Sequence, residues 1–345
     1  MKKPTGYFPV IVSLILCFLT FSSSAISFAP TQETGILGGL KGEEEAVGGR
    51  PLKEYVGEVY ITSSEYNSSS QASKPVSADK SKAVGKIYEQ FLSPYSAKSA
   101  YGGVYMKNST GLDINIKKEL SEDLKFKIEK NSGPQVLIVH THATECYMPE
   151  ERDFYTASDK SRTTDNSKNV TEVGEVIAKK LRQGGIEVIH DRTQHDQPSY
   201  NASYSRAGET INEYLKKYPS IKVVVDVHRD SIALTGNDKA KPTVTIDGKK
   251  AAQVMLVVGS ETGSVTGFPN WRENFRLALK YQQTMEVMYP GLARTMLFSS
   301  RRYNMHLTTG SMLLEVGTDS NSVEEALYSA ELAGDALLKL LNTLK

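Results

Sequence analysis

The sequence predicts an α/β fold, a largely parallel sheet flanked by helices, and three observations lead there. Val136-Leu-Ile-Val139 is an unbroken apolar run that stops abruptly at His140-Thr141-His142, as a strand buried on both faces does. Val170, Val173, Ile177 and Leu181 recur at helical spacing, and Gly184-Gly185 ends that helix. Apolar strands at 186–189 and 221–227 then bracket a second helix at about 206–217, with Ile211 and Tyr214 facing inward. Strand, helix, strand, helix, strand requires long crossovers, so the strands pair in parallel with right-handed connections.

Ahead of that core the chain has a different character. Met1-Lys2-Lys3, an apolar run at 8–21 and Ser22-Ser23-Ser24-Ala25 make residues 1–29 a secretory signal peptide or a retained membrane anchor. The basic residues precede the apolar run, so the bulk of the chain is expected outside the cytoplasm. Residues 30–101 are rich in Ser, Gly, Lys and Glu. Such a stretch buries too little apolar surface to offset its ordering entropy, and a flexible extracytoplasmic linker is expected there. Within it, 55–61 and 83–92 are the pieces able to order or dock. An ordered domain is expected at 102–345.

Lys+Arg 41 against Asp+Glu 40 gives a net charge of +1, which argues against a nucleic-acid partner, since such domains are strongly basic. Cys17 and Cys146 are the two cysteines. They are too few for a disulfide framework and leave the compartment open.

The remaining elements follow in order. Asn108-Ser109-Thr110-Gly111 is a turn between short strand-like pieces at 105–114. Leu124 to Ile128 alternates apolar and charged residues, which predicts an edge strand. Asp247-Gly248 is a tight hairpin signal between apolar runs at 244–246 and 254–258. Residues 271–288 form an amphipathic helix, and short apolar runs at 295–298 and 311–315 follow. Asn321-Ser322 caps a last helix with Leu327, Leu337, Leu338 and Leu341 on its buried side.

Chemistry collects at strand ends. His140, His142 and Glu145 follow the first buried strand, His228 closes the third, and Glu315 ends the run at 312–314. In a parallel-type sheet those ends share one edge, so residues distant in sequence converge. Imidazoles with a carboxylate suit zinc held by three protein ligands and one open position. A further carboxylate beside it serves as general base.

Six stretches carry a specific resemblance: Val136-Leu-Ile-Val-His-Thr-His-Ala-Thr-Glu-Cys-Tyr147, His195-Asp-Gln-Pro-Ser-Tyr-Asn-Ala-Ser-Tyr204, Asp226-Val-His-Arg-Asp230, Pro269-Asn-Trp-Arg-Glu-Asn274, Arg302-Tyr-Asn304 and Gly310-Ser-Met-Leu-Leu-Glu-Val-Gly317. From about Gly102 to the C-terminus the chain resembles the stage II sporulation protein P family, membrane-anchored peptidoglycan hydrolases of forespore engulfment. That family is related to zinc-dependent N-acetylmuramoyl-L-alanine amidases. The resemblance therefore implies an amidase-like fold with a mixed sheet and Zn2+ as cofactor. It implies cleavage of the amide between muramic acid and the stem peptide, and of peptide cross-links. It also implies partnership with the stage II sporulation proteins D and M, and a place on the mother-cell membrane facing the septum.

Carried over by motif, the resemblance assigns His142 and His228 as ligands and Glu315 as the catalytic glutamate. The related amidases take a third ligand from a glutamate just before the first helix, where this chain reads Asp165-Asn-Ser-Lys-Asn169. Glu145 is then the candidate third ligand, with His195 and Asp165 behind it. His140, His195, Arg229, Asp230 and Asn304 are expected to support the ligands or face substrate, and Cys146 to be a bystander. Two other readings stand beside this one: a binuclear His-x-His metallohydrolase, and a non-enzymatic wall-binding scaffold of the engulfment complex.

Overall fold

In the computed structural model the described residues are 46–47, 50–51 and 78–344. The expected signal or anchor at 1–29 and most of the expected linker lie outside them. Among the described residues no helix is long and apolar enough to cross a membrane.

In chain order the strands are β1 (Ala46–Val47), β2 (Arg50–Pro51), β3 (Ala83–Gln90), β4 (Ser99–Tyr101), β5 (Val104–Asn108), β6 (Val136–Val139), β7 (Phe154–Thr156), β8 (Val188–His190), β9 (Val223–Asp230), β10 (Lys239–Ile246), β11 (Lys249–Ala252), β12 (Val254–Gly259), β13 (Met296–Ser299) and β14 (Ser311–Thr318). The helices are α1 (Ile116–Ser121), α2 (Val170–Gln183), α3 (Ser203–Lys217), α4 (Trp271–Met288) and α5 (Val323–Leu341).

An eight-stranded sheet with the order β4-β5-β13-β12-β14-β9-β6-β8 forms the centre. Strands β8, β6, β9 and β14 run parallel, as the crossover pattern predicts. Strand β12 pairs antiparallel with β14 and opens a second parallel block through β13 to β5. The sheet is therefore mixed. Alternate residues of β6 serve opposite faces: Val136 and Ile138 join the core under α2, α4 and α5, while Leu137 and Val139 pack with Ile211 of α3. With helices on both faces, all four β6 residues are buried, which is why its sequence shows no polar alternation.

The helix ends follow their capping residues. Asn169 accepts from Thr171 N at the start of α2. Ser322 and Glu325 form a reciprocal capping box on α5. Helix α4 spans 271–288 as its periodicity predicts.

Four expectations need correction. Residues 78–101, placed in the linker, belong to the fold. β3 pairs in parallel with β10 and antiparallel with β7 in a second sheet of order β11-β10-β3-β7. Partners far along the chain supply an order that local composition does not. Residues 124–128 form no strand: Leu124 and Phe126 lie on the core, Ile128 is buried, and its N–H donates to Leu344 O at 2.7 Å. The piece after the Asn108 turn is likewise no strand but the lead into α1, capped by Asn115. The Asp247-Gly248 turn, with φ of 50° and 74°, joins β10 to β11 rather than to the run at 254–258. That run is β12, in the central sheet beyond Gln253.

Candidate metal centre

Three strands of the parallel block deliver the site. β9 continues to Asp230, so Asp226 and His228 are interior strand residues on one side, two apart. Glu315 of β14 stands beside His228 in register, and Val139 at the end of β6 stands beside Asp226. Asp226 then grips the turn that leaves β6, accepting Thr141 N at 2.8 Å and Thr141 Oγ1 at 2.6 Å. This clamp brings His142 and Glu145 back over β9.

The rings of His142 and His228 lie 5.2 Å apart at 69°. Glu145 Oε2 is 3.3 Å from His228 Nδ1, and Asp226 Oδ1 is 2.9 Å from His228 Nε2. His142 Nδ1 and Glu315 Oε2 are buried without a hydrogen-bond partner, and His228 Nε2 has only the Asp226 contact. Buried polar atoms are rarely left unmatched. Gathered at one place, imidazoles and carboxylates of this kind are metal-ligand and proton-accepting types.

The electrostatics agree. Burial pushes the Glu315 carboxyl up to about 8, with Glu145 and Asp230 adding to it. Burial also lowers His142, to about 4, and the neighbouring His228 charge lowers it further. For His228 burial works against the charged form, but Asp226 and Glu145 overcome it and hold the ring well above its ordinary value. Burial likewise opposes ionisation of Glu145, and the His228 contact reverses that and lowers it. In the metal-free pocket one proton on His228 thus balances a cluster of carboxylates, a task a divalent cation performs better. Two imidazoles and Glu145 fit zinc's preference for nitrogen and oxygen donors, with Glu315 close by.

The other expected residues take different places. His140 is fully buried: its Nδ1–H donates to Val227 O at 2.9 Å, and its Nε2 meets His190 Nε2 at 2.9 Å. Both nitrogens are used, so His140 is support and no ligand. His195, the next choice after Glu145 for the third ligand and otherwise expected to support the ligands or face substrate, braces the backbone of His140. Its Nδ1–H donates to His140 O and its Nε2 accepts from Thr210 Oγ1, each at 2.9 Å. Asp165 is exposed and paired with Lys168 at 2.6 Å, so it is no ligand in this arrangement. Arg229 braces the loop, donating through Nε to Cys146 O at 3.1 Å and through Nη2 to Ser161 O at 2.6 Å. Asp230 holds Arg294 at 2.8 Å. Asn304 Nδ2 donates to Tyr204 O at 2.8 Å. Cys146 is buried, and burial raises its thiol, which leaves it a bystander.

Several residues of the site were not foreseen. Asp226, in the sequence only the first letter of the Asp226–Asp230 stretch, is the clamp on Thr141. His190, beside Glu175 at 2.7 Å, orients His140. Gly174 of α2 makes room for that pair, since a Cβ there would lie 2.6 Å from His140 Cε1. Tyr200 stacks on His142 at 4.4 Å and 15°, and Tyr204 meets its edge at 5.5 Å and 82°. Their spacing of four ahead of a helix was the available signal. Arg162 lies over Tyr200 at 4.9 Å and pairs with Asp196 at 2.8 Å. Together with Thr144 and Thr163 they border an open cavity of about 480 Å³ beside the site.

A second carboxylate cluster, Glu89, Glu151 and Glu325, has oxygens within 4.8 Å of one another. Lys241 fills it at 3.1, 3.2 and 2.7 Å respectively, so ion pairs account for it without a metal.

A family model described as stage II sporulation protein P matches residues 51–338. Stage II sporulation protein P of Bacillus subtilis (strain 168) is 30% identical over 217 residues, 59% of this chain and 50% of that protein. The chain thus spans about half the length of that curated relative. Among solved structures, the N-acetylmuramoyl-L-alanine amidase AmiC2 of Nostoc punctiforme overlaps 62% of this chain and 98% of its own, at 10% identity and a TM-score of 0.37. The CwlD amidase of Clostridioides difficile, in complex with the GerS lipoprotein, overlaps 61% and 98% at 13% identity and the same TM-score of 0.37. The chain belongs to the stage II sporulation protein P family.

Proposed function

We propose that this protein is a zinc-dependent peptidoglycan hydrolase of sporulation. It cleaves the amide between N-acetylmuramic acid and L-alanine, and peptide cross-links as well, during forespore engulfment. One observation carries the reading: His142 Nδ1 and Glu315 Oε2 are buried without partners beside His228 and Glu145. Family membership supplies the wall as the substrate.

His142, His228 and Glu145 would hold the zinc. Held there, zinc would supply Lewis-acid chemistry for the amide carbonyl and the attacking water. Glu315 takes the proton from the attacking water and hands it to the leaving amine. Asp226 and Arg229 keep the His142–Glu145 loop in place while the substrate enters by the cavity under Tyr200 and Arg162.

The binuclear alternative needs further free imidazoles. His140 and His195 have both nitrogens committed, which favours a single metal. The non-enzymatic scaffold has no observation in its favour.

In the cell, the chain acts outside the cytoplasm, tethered by its N-terminal segment to the mother-cell membrane, with the stage II sporulation proteins D and M as partners. Mass spectrometry of material released from purified sacculi tests the chemistry. Stem peptides with a free L-alanine amine are expected, and their absence, with only glycan-cleaved muropeptides released, contradicts the amidase assignment.

A further inference from the structure

Tyr204 sits in the first turn of α3 with its ring edge-on to His142 at 5.5 Å and 6.1 Å from Tyr303. Among the described residues its hydroxyl has no hydrogen-bond partner, although the side chain is largely covered. The backbone beneath it is firmly held. Asn304 Nδ2 donates to Tyr204 O, and Tyr303 and Asn304 are both left-handed, at φ of 46° and 58°. Such conformations persist in non-glycine residues only where their surroundings enforce them, and they collect at functional sites. Gly208 permits the approach, since a Cβ there would lie 3.1 Å from Asn304 Oδ1.

Amide hydrolysis puts negative charge on the carbonyl oxygen, and a fixed donor at that point is worth a large part of the rate. The cations near the site are already engaged. Arg162 is taken by Asp196 and Glu145, Arg229 by two backbone carbonyls, and Arg294 by Asp230. The rest of the pocket wall is acidic: Glu145, Asp226 and Glu315. Neutral phenols are the donors that remain, and of the two against His142, Tyr200 lies flat on the ring and is exposed, whereas Tyr204 meets it edge to face and is half-buried.

We propose that the Tyr204 hydroxyl donates a hydrogen bond to the substrate oxygen that becomes negative when the scissile carbonyl turns tetrahedral. The proposal rests on the amide-hydrolase reading above. Tyr204 forms and breaks no covalent bond; it keeps its proton throughout, and Glu315 alone carries protons between water and amine.

The test is steady-state kinetics of the zinc-loaded full chain on muramoyl-peptide fragments prepared from sacculi. Tyr204→Phe is expected to lower kcat by roughly 100-fold or more, with KM, zinc per chain and melting temperature unchanged. Tyr214→Phe, on the same helix and far from the pocket, is expected to keep the wild-type rate. A kcat for Tyr204→Phe within threefold of wild type overturns the proposal, as does a loss that appears in KM or zinc content instead. Failure of the wild-type chain to cleave overturns the hydrolase reading and this proposal with it.

Discussion

Glu315 stands beside His228 in the parallel register of β14 on β9, so one strand pair sets the distance between the proposed base and a proposed ligand. Neighbouring strands are about 4.8 Å apart, which leaves the two groups close without contact. The same proximity couples their protonation.

The first prediction concerns Glu315→Gln. The folded value of Glu315, about 8, lies above its ordinary 4.5. Between those values the folded metal-free chain keeps a proton that the unfolded chain has lost. Its stability therefore falls as pH rises from about 4.5 to about 8 and is level above. Glutamine removes the titration, so the metal-free variant should melt higher than wild type at pH 8 and equally at pH 4.5. A gain of about 1 kcal/mol would raise the melting temperature by roughly 2–4 °C in a chain of this size. Equal melting curves across that range would remove burial as the source of the shift.

A second prediction follows from His228, whose charged form Asp226 and Glu145 favour against burial, raising the ring well above its ordinary value. Zinc must displace that proton, and Glu315 must lose its own to act as base, so binding should release protons and tighten as pH rises. Calorimetry in buffers of different ionisation enthalpy measures the release directly. No buffer dependence would mean that His228 enters the complex already neutral.

A third prediction concerns Gly174→Ala. The added Cβ would lie 2.6 Å from His140 and 2.9 Å from His190. Overpacking of this kind costs about 1–3 kcal/mol, and here the strain falls on the pair that fixes the start of the His142 loop. Lower melting temperature together with weaker zinc binding is expected. Reduced stability with unchanged zinc affinity would show that the His140–His190 pair does not govern the ligands.

Much of the site was legible because its residues follow apolar runs that pair side by side in one sheet, although the strands continue past His228 to Asp230 and past Glu315 to Thr318. His142, His228 and Glu315 were found that way, and α4 and α5 announced themselves by periodicity and a capping pair. What stayed hidden depends on partners distant in sequence. β3 is ordered by β10, some 150 residues on, and nothing local to residues 83–90 reports that pairing. The alternation of Leu124 to Ile128 reflects a segment draped on the core rather than a ladder. His140 and His142 look alike in sequence, and only Val227 and His190 tell the buttress from the ligand. Tyr200 and Tyr204 were visible as letters of a motif, but their stacking on His142 required the loop after β8 to fold back over β6.

The most direct test of the account is dye release from labelled sacculi by the purified chain, before and after treatment with a zinc chelator. Rapid release that is abolished by chelation, and restored by stoichiometric zinc in wild type but not in His228→Ala, is the predicted result. Release that persists undiminished in the chelated protein would contradict the metal centre at its core.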